Sequence, residues 1–205
     1  MTCMAMIGGK GRIMIAAQKV YQMLGNETLW NVAERCDALL SAAGIPYSIC
    51  GGVAVCLHGY QRNTVDLDLV IRAGERDAVR KVLADGGLTW DETNAEFRTP
   101  DGIAVQFLIS GQKAGKGSEV TIPEPTGDLN VEELEGLPVV RLSRLIEMKL
   151  ACGMGNLRRT HKDFADVVEL IATRNLDGTF ARFLHKSLRP TFRELVRNAN
   201  TPDDV

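Results

Sequence analysis

The sequence predicts an α/β (α+β) fold: a mixed sheet flanked by helices, with a helical C-terminal part. Three observations carry this. Short apolar or β-branched runs alternate with amphipathic stretches in the first half of the chain, residues 87–123 are rich in strand patterns, and the region after residue 141 has helical periodicity. A chain of 205 residues can bury a sizeable core as one domain with a small helical extension. The expected division is N-terminal helices over 1–44, a core over 45–140 and a helical part over 141–205.

Residues 12–24 and 28–43 read as amphipathic helices, the second capped by Asn26 or Thr28 and ended by Gly44-Ile45-Pro46. Tyr47-Ser48-Ile49-Cys50 is an apolar run suited to a buried strand, and residues 53–60 after the glycine pair form a short helix. Val65-Asp66-Leu67-Asp68-Leu69-Val70-Ile71 is a second strand, followed by a helix over 75–84 that ends at Gly86-Gly87. Thr99-Pro100-Asp101-Gly102 reads as a hairpin turn, with Glu96 on the strand before it and Ile103-Ala104-Val105-Gln106-Phe107-Leu108-Ile109 as the strand after it. Residues 111–117, rich in glycine and lysine, are expected to be a mobile solvated loop, and a linker is expected to run to about Gly136. Ser143 is a good N-cap for a helix over 144–152, a longer helix covers 158–173, and one or two more lie within 178–197.

Two motifs carry chemistry. Gly51 and Gly52 close the first strand without side chains, so a polyphosphate can approach the backbone amides that follow. Asp66 and Asp68 stand at i and i+2 of a strand and therefore project from one face. A hard divalent ion such as Mg²⁺ takes oxygen ligands from one or two carboxylates and from the phosphates of its substrate, so this pair needs only a nucleotide to complete a site. Val70 shares the aspartate face and is apolar, which implies that the face is partly covered. Two like charges under cover are costly without a cation.

Composition narrows the classes. The chain is 45% hydrophobic and 24% charged, ordinary for a globular protein, and its net charge of −2 argues against binding nucleic acid through bulk charge. Five cysteines (Cys3, Cys36, Cys50, Cys56 and Cys152) have irregular spacing and no Cys-x-x-Cys pair, so neither a disulfide framework nor a zinc site is indicated. His161 and His185 lack metal-ligand spacing. The first dozen residues do not combine a basic region with a long apolar run, and no segment is apolar enough to span a bilayer. The expectation is a cytoplasmic protein with reduced thiols and no membrane association.

Cys50-Gly51-Gly52 through Asp66-Leu67-Asp68-Leu69, with Arg62 and Thr64 just before the aspartates, resembles the signature of the DNA polymerase β-type nucleotidyltransferase superfamily. Leu145-Ile146-Glu147-Met148-Lys149-Leu150 and Lys162-Asp163-Phe164-Ala165-Asp166 are similar to the Lys motif and the Lys-Asp-x-x-Asp motif of AbiEii-type nucleotidyltransferases of abortive-infection and toxin–antitoxin systems. The resemblance spans residues 45–172. It implies transfer of NMP from an NTP to an acceptor hydroxyl on RNA or protein, with Mg²⁺ as cofactor and an antitoxin as a partner. It further implies that Lys149 meets the nucleotide phosphates, that Lys162 and Asp163 line the cleft, and that Asp163 or Asp166 orients Lys149 or an acceptor group. Arg62 and Thr64 either hold the triphosphate or fix their own loop.

In that superfamily a third carboxylate comes from a later strand, and here the matching position holds Gln106. An amide oxygen can accept one metal contact, but the group can neither balance a second cation nor take a proton from an attacking hydroxyl. Asp101 and Glu96 are the neighbouring carboxylates that could compensate. Two functions therefore stay open: a Mg²⁺-dependent transferase with Asp66, Asp68, Lys149 and Asp163 as its catalytic set, or a catalytically weak nucleotide-binding regulator on the same fold.

Overall fold

The computed structural model describes residues 16–199 apart from Leu24 and Asn26. Cys3, the start of the expected first helix and the Asn26 cap lie outside the described residues. Among the described residues seven strands form one sheet: β1 (Tyr47–Cys50), β2 (Asp66–Ile71), β3 (Thr89–Asp91), β4 (Glu96–Arg98), β5 (Ala104–Ile109), β6 (Val131–Leu134) and β7 (Leu137–Val140). Their order across the sheet is β3-β4-β5-β2-β1-β7-β6. β2 runs antiparallel to β1 and parallel to β5, and β1 runs parallel to β7. The sheet is therefore mixed, as expected.

Strand alternation sorts the two faces. Tyr47, Ile49, Leu67, Leu69 and Ile71 are buried on one side, where α2 (Glu27–Ala42) packs on β2 and on α4 (Arg76–Asp85). The Tyr47 hydroxyl donates to Asp37 of α2 at 2.5 Å. The opposite face carries Ser48, Cys50, Asp66, Asp68, Val70 and Gln106, because Cys50 pairs with Asp68 and Asp68 pairs with Gln106. Val70 and Ser48 are fully buried there, so the aspartate face is covered. Its cover is α3 (Gly51–Leu57), which packs on β2, and α5 (Leu142–Gly155), which packs on α3 and on α6 (Leu157–Arg174). Among the described residues α1 (Ala17–Met23) and α7 (Arg189–Ala199) are the remaining α-helices, α7 against α6.

Four expectations need correction. The segment read as a linker to Gly136 holds the β6–β7 hairpin, closed by Glu135 (φ +51°) and Gly136 (φ +81°). Two left-handed residues in a row give the turn that matches strand twist. The helix-favouring Glu132-Glu133 pair on the edge strand β6, and Pro138 on β7, hide this hairpin in the sequence. The helix after β1 starts at Gly51 itself rather than after Gly52. Ser143 lies inside α5, whose N-cap is Arg141 without a side-chain bond. The Glu132 carboxylate accepts from the Leu142 amide at 3.4 Å, so that acceptor comes from a neighbouring strand.

The fourth correction concerns the loop over 111–117. It is exposed but tied to α5. A Cβ on Gly115 would fall 2.0 Å from the Ala151 carbonyl oxygen, and one on Gly155 would fall 2.7 Å from the Lys116 amide nitrogen. Loop and helix approach backbone to backbone because each contributes a glycine. The Ala114 amide donates to the Val120 carbonyl, closing the loop on itself.

Candidate active site

The acid strand meets the glycine pair directly. Gly51 adopts φ +62°, and a Cβ there would lie 1.8 Å from Oδ2 of Asp68, while one on Gly52 would lie 2.5 Å from the Thr64 hydroxyl oxygen. The glycines are thus needed for β1 and the start of α3 to lie against the acid strand. Thr64 is buried and its hydroxyl donates to Oδ1 of Asp66 at 2.7 Å, fixing that carboxylate. The Cys50 thiol donates to the Asp68 carbonyl at 3.5 Å, and burial first, then the Asp68 charge, push it well above its ordinary pKa.

Asp68 lies on the wall of a cavity of about 190 Å³, with Gly51, Gln106, Met148, Lys149 and Arg159 among its neighbours there. Burial, then the Asp66 charge, raise the Asp68 pKa to about 6; Lys149, Arg159 and Lys162 act the other way. Lys162 itself is solvent-exposed on α6, yet close enough for its charge to be felt.

The late motifs assemble into one buried network. Lys149 on α5 donates to Asp166 at 2.6 Å and to Asp163 at 3.3 Å, and all three residues are buried. Arg62 reaches the same Asp166 from the loop before β2, at 2.7 Å. Arg159 donates through Nε to Asp163 at 3.1 Å, one helical turn along α6. Four of the predicted residues, Arg62, Lys149, Asp163 and Asp166, are therefore joined, with Lys149 held between two carboxylates and Arg62 turned towards Asp166. Arg159, which the sequence presents only as an ordinary i,i+4 ion pair, lies on the cavity wall with its side chain about half exposed.

Gln106 stands opposite Asp68 on β5, and Glu96 stands opposite Gln106 on β4 by the register of that pair. The Gln106 side-chain amide donates to Glu96 at 2.8 Å, and Arg98 pairs with the other Glu96 oxygen. Asp101 sits in the exposed turn between β4 and β5.

Among the described residues no group of three or more His, Cys, Asp or Glu side chains is arranged to hold a metal ion. The donor set that is present nonetheless suits Mg²⁺: two carboxylates on one strand face and an amide side chain beside them can all offer oxygen.

No protein-family model and no curated protein matches the sequence. Solved structures do. ANT(2'')-Ia in complex with adenylyl-2''-tobramycin is 13% identical over 85% of this chain and 99% of that one, with a TM-score of 0.53. JHP933 from Helicobacter pylori is 19% identical over 87% and 90% of the two chains, with a TM-score of 0.49. An antigenic nucleotidyltransferase-like protein from Paracoccidioides brasiliensis is 17% identical over 82% and 91%, with a TM-score of 0.48. The chain has the α+β fold of nucleotidyltransferases. Among the described residues no helix is long and apolar enough to cross a membrane.

Proposed function

We propose that this protein binds an NTP with Mg²⁺ and transfers its NMP to an acceptor hydroxyl on RNA or protein. The observation that carries the reading is the placement of Asp68, packed against Gly51 on the wall of a cavity to which Lys149, Asp163 and Arg159 also contribute. Asp66 and Asp68 would hold the ion, with Gln106 as a neutral third oxygen donor. When bound, Mg²⁺ supplies charge neutralisation of the phosphates and activation of the α-phosphorus. The chain's own residues do the rest. Gly51 and Gly52 let the phosphates come close to the backbone, and Arg159 and Lys162 place positive charge at the cavity, where it lowers the cost of the dianionic pair. Lys149 holds Asp163 and Asp166, and through them Arg159 and Arg62, so that the acid strand and α6 keep a fixed relation. The acceptor hydroxyl oxygen attacks the α-phosphorus, its proton passing to solvent, while the bond to pyrophosphate breaks.

The joined Lys149, Asp163 and Asp166 support an AbiEii-like placement, and with it a cytoplasmic toxin–antitoxin setting in which an antitoxin partner controls the site. A second reading, a weak or inactive regulatory homologue, is favoured by one observation: the Gln106 amide stands where a third carboxylate would, hydrogen-bonded to Glu96. Calorimetry with ATP and the other NTPs, with and without Mg²⁺, together with transfer of label from α-³²P NTP to bulk RNA and protein, tests both. Mg²⁺-dependent binding with transfer supports the enzyme, binding without transfer supports the regulator, and no Mg²⁺-dependent binding removes both.

A further inference from the structure

Glu96 is a buried carboxylate that the reading above leaves without a task. It stands in a row that crosses three strands, Asp68 on β2, Gln106 on β5 and Glu96 on β4, all on the face that bears the candidate site. Adjacent strands lie about 4.8 Å apart, so Glu96 is separated from Asp68 by about twice that distance. Gln106 also lies on the cavity wall with Asp68.

The hydrogen bond between Gln106 and Glu96 has a direction. An ionised carboxylate only accepts, so the Gln106 group facing it is the NH₂, at 2.8 Å. On the same planar carbon the amide carbonyl oxygen then faces away from Glu96. Arg98 pairs with the second Glu96 oxygen. With no acceptor at position 96 the amide could flip and present NH₂ to the cavity, a donor that repels a cation.

We infer that Glu96 is a positioning residue that locks the Gln106 side chain with its oxygen toward Asp68, and so makes an uncharged residue serviceable as a cation ligand. This rests on the Mg²⁺ reading of Asp66 and Asp68. It gives the site a net charge set by two carboxylates rather than three, and puts the third negative charge one strand away, neutralised by Arg98.

The test combines calorimetry with side-chain NMR. Removing an outer-shell partner typically costs ten- to hundredfold in metal affinity, so Glu96→Leu is expected to weaken Mg²⁺ binding about tenfold or more, while Glu96→Gln, which keeps an acceptor, stays within about threefold. In a Gln106→Leu background, Glu96→Leu should cause no further loss, because its effect passes through the amide. The NMR arm needs no Glu96 variant. In the native protein, Mg²⁺ should shift the side-chain carbonyl carbon of Gln106 while its NH₂ protons remain hydrogen-bonded. Native Mg²⁺ affinity that is indifferent to Glu96→Leu, an equal loss in the Gln106→Leu background, or NH₂ protons released on Mg²⁺ addition would each overturn the inference alone. Absence of Mg²⁺ binding in the native protein overturns the parent reading and this one with it.

Discussion

Lys149 and Asp166 meet at 2.6 Å across the α5–α6 interface, and this contact ties the helical part of the molecule to the acid strand. Asp166 accepts from Arg62 Nη2 at 3.1 Å with the same oxygen that accepts from Lys149, while its other oxygen lies 2.7 Å from Arg62 Nε, and Arg62 sits only four residues before Asp66. A lysine, an arginine and an aspartate, distant in sequence, thus fix the loop that leads into β2.

Breaking that tie should be costly. Both Lys149 and Asp166 are buried, and removing one member of a buried pair leaves an uncompensated charge, typically worth about 3–5 kcal/mol. Asp166→Ala is expected to lower the unfolding free energy in urea by about 3 kcal/mol, with Asp166→Asn intermediate. A loss below about 1 kcal/mol would show that the network is incidental to the fold.

How much of this was legible in the sequence depends on the range of the interaction. Asp66 and Asp68 on one strand face follow from a period of two, and the mixed sheet follows from alternating patterns, so both could be read locally. The triple tie of Lys149, Asp163 and Asp166 could not: spacing along α6 shows only i,i+4 pairs, and the lysine comes from another helix. The β6–β7 hairpin was hidden by residues whose local preference is helical, and the Glu96–Gln106 bond by a register that only the folded sheet sets. Arg159 carried one signal, its spacing to Asp163, which an exposed ion pair would show equally.

Gly51 offers a second prediction. Gly51→Ala would put a methyl carbon into the Asp68 carboxylate and force an L residue to φ +62°. Left-handed backbone alone costs about 1–2 kcal/mol. The expected outcome is a folded, less stable protein whose Mg²⁺-dependent NTP affinity falls at least as far as in Asp68→Asn. Unchanged calorimetric affinity would mean that the space against Asp68 has no part in binding.

The pH dependence follows from Asp68. Its pKa stands at about 6 in the folded protein, against an ordinary 3.8. Between those values the native state holds a proton that the unfolded chain has released, so this group's contribution to stability is fully present below about 3.8 and is lost as pH rises through about 6. Metal binding runs the opposite way, since it needs the ionised form. Mg²⁺ affinity should therefore rise by about tenfold between pH 5 and pH 7, and the unfolding free energy of the metal-free protein should lose its slope over pH 4–6 in Asp68→Asn. Flat Mg²⁺ affinity across that range would remove Asp68 from the ligand set.

The last prediction separates transferase from regulator at position 106. Gln106→Asp alone supplies the third carboxylate, but it also deprives Glu96 of its donor and sets two like charges on neighbouring strands, which is destabilising. Pairing it with Glu96→Gln reverses the polarity of the bond: the Gln at 96 donates NH₂ to the new carboxylate. If two cations of total charge +4 are held weakly for want of a third negative ligand, either change should raise transfer of label from NTP to bulk RNA or protein. The paired change should do so by at least about tenfold, equal to about 1.4 kcal/mol of barrier, and should exceed the single one. A native protein already fully active, with both variants neutral or harmful, would show that Gln106 suffices as it stands and would favour the enzyme over the regulator.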